Sequence, residues 1–307
     1  MSLDGIFSLA LLSQTVRISV PYVLAALGAT ISETGGVVNI ALEGLILTGA
    51  FCAVLGSHYS GNPWVGVMAA MAGGIFVSLI HAVVCIRFRA NQIISGLAIN
   101  ILAAGATKFF LKLIFHSSSN SSRVAGLPHW SFFGLDRVPV IGAIVSDPLI
   151  LAAALLVFAS YCLIYKTPFG LRLRAVGEHP ECAETLGVNV YFMRCAGVML
   201  CGVLAALAGA WLAFDQHQFS ADMSGGRGYI ALTAMIFGKW NPLGAALAAV
   251  LFGLAEAFQI QLQTVGVSVP TQFIQMIPYV LTVVLLAGVI GKSRAPAADG
   301  KPYPVEE

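Results

Sequence analysis

An all-α bundle of membrane-spanning helices is the fold class this sequence predicts, on three observations. Of its 307 residues, 58% are hydrophobic and only 10% charged. A soluble domain carries about 25% charged residues, so this chain lacks the polar groups to cover a globular surface. Apolar stretches long enough to span, about 20 residues each, recur along nearly the whole chain. Lys and Arg gather on alternate connections between them, the pattern of a chain threaded back and forth through a bilayer. A net charge of +2 is too small to suggest a nucleic-acid partner.

The apolar stretches fall at 6–30, 37–56, 64–86, 91–115, 148–165, 192–214, 222–239, 242–261 and 272–291. This gives about nine spans, within a range of eight to ten. The start, Met1-Ser2-Leu3-Asp4, lacks the basic residues of a cleaved signal peptide, so the first span is expected to be retained. Within it lies Arg17, a cation that should seek a carboxylate. Glu256 in the eighth span is at a comparable depth, and an Arg17–Glu256 pair is expected. The second span opens on Asn39 and Glu43, four residues apart and so on one helical face. They read as a polar stripe, either lining a path or bonding a neighbouring helix terminus. The fourth span opens on Asn91, Gln92 and Ser95, with Asn100 following. Amides offer donor and acceptor together, for a solute or for another helix. The stretch at 222–239 starts with Gly225, Gly226 and Gly228, and a broken or re-entrant helix is the alternative there.

Two connections stand out. Residues 116–147 form an outer loop with a Ser- and Asn-rich start and an apolar half bearing Trp130. Residues 166–191 form a loop on the other side. In it Pro180 suits the first position of a helix, Glu181 and Glu184 suit the first turns, and Gly187 suits the left-handed stop. A helix of about two turns near 180–186 is expected, too short to stand alone. With the C-terminus cytoplasmic, ten Lys and Arg lie inside and five outside, with Arg17 within a span. The positive-inside rule then puts the N-terminus out and the C-terminus in. Residues 1–295 read as one membrane domain and 296–307 as a flexible cytoplasmic tail.

Small residues four apart, Ala69/Gly73, Ala205/Gly209 and Gly244/Ala248, allow close helix approach. Five of the six cysteines sit in apolar runs as packing residues, and Cys182 reads as a free thiol in a reducing cytoplasm. A weak internal echo pairs Ile40-Ala41-Leu42 with Ile230-Ala231-Leu232, and Asn62-Pro63 with Asn241-Pro242, in opposite directions, as an inverted repeat would. No metal-ligand constellation and no intramembrane protease motif is present in the sequence. The one Gly-Lys-Ser, Gly291-Lys292-Ser293, lacks the glycine at 286 that a phosphate loop requires, since Leu286 stands there. The chain has no ATP site of its own, no metal site and no catalytic residue.

Gly35-Gly36-Val37-Val38-Asn39-Ile40-Ala41-Leu42-Glu43-Gly44, Ala90 through Asn100, Arg174 through Val188, and Gly225 through Leu232 together resemble permease subunits of ABC importers in the branched-chain amino acid, ribose and nucleoside group. The wording around Asn39–Gly44 and Asn91–Ile94 is closest to the shorter nucleoside permease. The resemblance implies a bacterial inner-membrane subunit that imports a nucleoside, purine nucleosides first. The same machine for a sugar such as ribose is the alternative, and a secondary transporter or channel a further one. It implies a second permease of a different chain, an extracytoplasmic solute-binding protein or lipoprotein, and ATPase subunits that hold the ATP and Mg. It implies that Gly177, Glu178, Pro180, Glu181, Ala183, Glu184, Leu186 and Gly187 form the segment on which the ATPases dock.

Overall fold

The computed structural model describes residues 9–130, 139–264 and 294–303, and the isolated positions 272, 273, 276, 280 and 283. The helices are α1 (Leu9–Thr34), α2 (Leu42–Ser60), α3 (Pro63–Ala82, continued by a π-helical turn Val83–Arg87), α4 (Gln92–Phe115), α5 (Pro139–Ser146), α6 (Pro148–Lys166), α7 (Pro168–Glu178), α8 (Pro180–Thr185), α9 (Val190–Asp215), α10 (Arg227–Phe237) and α11 (Pro242–Thr264). The chain is a polytopic helical bundle. Among the described residues, seven helices are long and apolar enough to cross a membrane: α1, α2, α3 with its π turn, α4, α6, α9 and α11. The stretch expected to span at 272–291 lies outside the described residues except at the isolated positions.

The helix starts follow from local chemistry. Asn62, Asn91, Asp147, Thr167 and Asn189 each turn a side-chain oxygen back onto amides of the following turn, at 2.9–3.4 Å. Asn241 does the same for Leu243 at 3.0 Å. Proline follows the cap at 63, 148, 168 and 242, where its fixed φ is already helical and its missing N–H costs nothing.

The core is built on α1 and α9. They run antiparallel: Gly197 lies against Ile31, Gly28 against Cys201, and Arg17 reaches Asp215. Three helices from each half then correspond. α1 packs on α11 as α9 packs on α3; α2 packs on α9 as α10 packs on α1; and α2 meets α10. Since the central pair is antiparallel, the two triplets are related by a two-fold axis in the membrane plane, which makes them inverted copies. Asn62-Pro63 and Asn241-Pro242 occupy equivalent turns. Gly74 and Gly253, each eleven residues past its proline, meet Gly202 of α9 and Ser19 of α1 in turn. The other echo is out of register. Ile40-Ala41-Leu42 leads into α2, whereas Ile230-Ala231-Leu232 lies inside α10.

Close approach explains the small residues. A Cβ on Gly209 would strike the Ile46 carbonyl of α2, and one on Gly73 would strike Cys52. We expect Gly209→Val to cost about 1–3 kcal/mol, the usual penalty for overpacking. A fall in thermal stability of the purified protein checks this, and an unchanged melting temperature would count against the packing described.

The stretch expected to span at 222–239 does not do so. Residues 221–226 form turns, with Gly225 and Gly226 at φ of +55° and +82°. α10 then has 11 residues, about 16 Å at 1.5 Å per residue, against a core of about 30 Å. Its far end lies beside the end of α1, where Trp240 Nε1 donates to Glu33 at 2.7 Å. The segment between α1 and α2 mirrors this: residues 35–41 are non-helical before α2 begins.

On one face lie α7, α8 and residues 294–303. On the other lies the 116–130 segment, whose backbone bonds to residues 217–221 through Ser121 to Phe219, Val124 to His217 and Ala221 to Ser119. It caps the end of α9. The tail expected to be flexible from 296 is, over 294–303, packed in place, with Ala298 and Tyr303 buried.

Candidate functional site

The two interrupted helices meet inside the bundle. Both Glu43 oxygens accept from backbone amides of the other half, Gly226 N at 2.7 Å and Gly228 N at 2.8 Å. A carboxylate of α2 thus caps the N-terminus of α10. Gly226 takes a left-handed conformation (φ +82°), and a Cβ on Gly228 would strike the Glu43 backbone. Only glycine lets the two termini come so close. Asn39 and Glu43 do not share a helical face as expected, because α2 begins only at Leu42. Asn39 is fully buried, accepting from Ala41 N at 3.1 Å and donating to Cys201 Sγ at 3.2 Å.

The expected Arg17–Glu256 pair does not form. Arg17 pairs with Asp215 at 2.6 Å, where α1 begins and α9 ends. Glu256 instead accepts from Arg227 Nη2 at 2.6 Å and from Tyr22 OH at 2.5 Å. Arg227 therefore sits beside the α10 terminus and opposite the middle of α1 and α11. Its four-residue Gly-Gly-Arg-Gly context, inside an apolar run, was the signal that it needed an intramembrane carboxylate.

The remaining path candidates converge on the same place. Asn100 accepts from Gly44 N at 2.8 Å and donates to Ile40 O at 2.9 Å and to the Tyr229 hydroxyl at 3.0 Å. Gln92 accepts from Val38 N at 2.7 Å. Ser95 bonds His81 Nδ1 at 3.0 Å, and the same ring reaches Val38 O at 3.3 Å. Asn39, Gln92 and Asn100, with the His81 ring that Ser95 holds, thus satisfy the irregular backbone of residues 38–44, which lipid could not do. Asn91 stands apart. It caps α4, taking the amides of Ile93 and Ile94.

The opposite cluster is the α7–α8 face. α8 runs Pro180–Thr185, and Gly187 follows at φ +81° with its amide on Glu184 O. Ala183 is buried, while Glu181, Glu184 and Gly187 are exposed and Leu186 is 84% exposed. Gly177 is packed against the Thr34 carbonyl, where a Cβ would not fit. Residues 294–303 strap this face. Ala298 N donates to Gly177 O at 2.9 Å, Ala297 N to Glu178 at 3.3 Å, Arg194 Nη1 to Lys301 O at 2.9 Å, and the Tyr303 hydroxyl to Glu184.

Asp299 of the strap is half-buried beside Glu33, and desolvation pushes its carboxyl up to about 7 despite its bond with Glu33 and the nearby Arg194 guanidinium. The docked strap therefore holds a proton that the free strap would release. Its contribution to docking is full below the free carboxyl value of 3.8 and is lost as pH rises to about 7. We expect Trp240 emission, which reports on Glu33, to change between pH 5 and 8 in the parent chain. Asp299→Asn should shift that profile, and an identical profile in both chains would refute the assignment.

Comparison with known proteins gives a consistent picture. The sequence profile of the family described as branched-chain amino acid transport system / permease component matches residues 11–286. The chain is 44% identical over 302 residues to the guanosine ABC transporter permease protein NupQ of Bacillus subtilis (strain 168), covering 94% of each chain. It is 42% identical over 299 residues to the nucleoside ABC transporter permease protein NupC of Lactococcus lactis subsp. cremoris, covering 93% of each. It is 34% identical over 272 residues to a putative glucose ABC transporter permease protein, TsgC13 of Haloferax volcanii, covering 85% of this chain and 80% of that one.

Proposed function

As the chain belongs to the family of branched-chain amino acid transport system permease components, we propose that it is the membrane-spanning subunit of an ABC importer for nucleosides, purine nucleosides first. The observation that carries this reading is the 44% identity, over nearly the full length, to a guanosine ABC transporter permease. The fold is in keeping with it. A bundle interrupted near mid-depth, with its irregular backbone satisfied by side chains, has the form of a solute path.

In this reading separate ATPase subunits dock on α7 and α8, which face the cytoplasm, with residues 294–303 on the same side. The beginning of α1 and the 116–130 segment then face outward, toward a solute-binding protein. A second permease, a different chain, completes the path across the bacterial plasma membrane. Residues 1–295 form one membrane domain. The exposed Leu186, Glu181 and Glu184 of the α8 region are the docking contacts, and Gly177, Glu178, Pro180, Ala183 and Gly187 hold that region in shape. Asn39, Glu43, Gln92, Ser95 and Asn100 hold the interrupted helices that border the path, and Asn91 starts α4.

The test is uptake by the complete transporter in proteoliposomes, with its solute-binding protein added outside. ATP-dependent accumulation of radiolabelled guanosine, not displaced by excess ribose, is expected. Preferential accumulation of ribose or glucose would overturn the substrate. Accumulation without ATPase subunits would overturn the mechanism.

A further inference from the structure

Where α4 passes the turns before α10, the exposed surface carries chemistry that does not suit lipid, although α4 also exposes Ile101 and Phe109. Lys108 and Asp222 form an ion pair at 2.8 Å, yet their side chains are 48% and 65% exposed. Lys108 lies seven residues before the end of α4, about 10 Å along the helix from it. Beside the pair runs the non-helical backbone of 221–226. Charges exposed to hydrocarbon at such depth are costly, and irregular backbone is tolerated there only against protein or water. By contrast, α6 turns Leu155 and Phe158 outward, 61% and 66% exposed, as a lipid-facing surface should.

On the same face lies Tyr229, 44% exposed, with Thr233 half-buried one turn further on. Its hydroxyl is held at the rim by Asn100 Nδ2 at 3.0 Å. Asn100 is itself fixed by Gly44 N and Ile40 O. The ring is thus anchored by its edge to the junction of the two interrupted helices, and its position is set without using its face. A flat aromatic surface held open beside polar groups is what a heterocyclic base can stack on, whichever base it is. A sugar has no π face to offer it.

We propose that this face of α4 and α10 lines the solute's route and that Tyr229 is the residue on which the base of the solute stacks as it passes. The proposal rests on the nucleoside reading above, and the experiment keeps the two apart. In the complete transporter, guanosine uptake by the parent chain tests the reading itself. Tyr229→Phe, which keeps the ring but loses its anchor to Asn100, should raise the guanosine KM only slightly. Tyr229→Leu should raise it about tenfold, the size of one base–aromatic contact. A parent-like KM in Tyr229→Leu would overturn the stacking role. So would loss of uptake and of basal ATP hydrolysis in both variants, which marks a structural residue. A second measurement tests the face. In a background freed of exposed cysteines, Thr233→Cys should react with a membrane-impermeant charged thiol reagent and Phe158→Cys should not. An unreactive Thr233→Cys would overturn the route. If the parent imports no nucleoside, the nucleoside reading and the stacking role fall, while a reactive Thr233→Cys would still support the route.

Discussion

Glu43→Leu is expected to abolish uptake by the complete transporter. The change removes the acceptor for two part-buried amides inside the bundle, Gly226 N and Gly228 N. Each orphaned donor costs about 1–3 kcal/mol in a protein interior and more where lipid surrounds it. The α10 terminus should then pull away from α2, and the Arg227–Glu256 contact behind it should loosen. Glu43→Gln keeps one carbonyl oxygen but turns an NH2 toward the second amide, so it should retain partial uptake with a lowered melting temperature. Parent-like transport by Glu43→Leu would show that the cap is dispensable.

Leu186→Asp should uncouple the transporter without unfolding the permease. Leu186 is 84% exposed, and substitutions at such sites usually shift stability by less than about 0.5 kcal/mol. In an interface the same leucine is a protruding apolar contact. Burying a charge against it should weaken ATPase binding by at least about tenfold, in line with contacts that cost more than 1 kcal/mol when lost. The measurement is co-purification of the ATPase with the permease, alongside the permease's own melting temperature. Intact co-purification with normal stimulated ATP hydrolysis would remove Leu186 from the docking surface.

How much of this could be read from the sequence depends on the kind of interaction. The seven long helices follow from apolar length, and their starts from Asn, Asp or Thr caps, so both are local and legible. α8 was legible for the same reason: Pro180 starts it and Gly187 follows its end. α10 was not, because a hydropathy window sums apolar residues across Gly225 and Gly226 and cannot see that their positive φ breaks the helix. Glu43 stood out as an intramembrane acid. Its partners did not, since they are backbone amides some 183 residues away, and an amide carries no sequence label. The Arg17 pairing failed because depth was judged from the lengths of apolar runs, while the partner, Asp215, sits at the last residue of α9. The strap at 294–303 reads as a tail by its Pro, Ala and Asp content. Its docking comes from shape and from bonds such as that of Ala298 to Gly177, which composition does not record.

The Glu43 cap has a consequence for charge. α2 and α10 both point their N-termini at this junction, and each terminus carries roughly half a positive charge from its aligned peptide dipoles. Glu43 offsets both at once. Arg227 is offset in turn by Glu256, 2.6 Å away. The cluster is therefore close to electrically neutral as a whole, near the depth where a bilayer tolerates charge least. In the proposed path, an uncharged solute passing this cluster would meet hydrogen-bonding groups with little net charge among them.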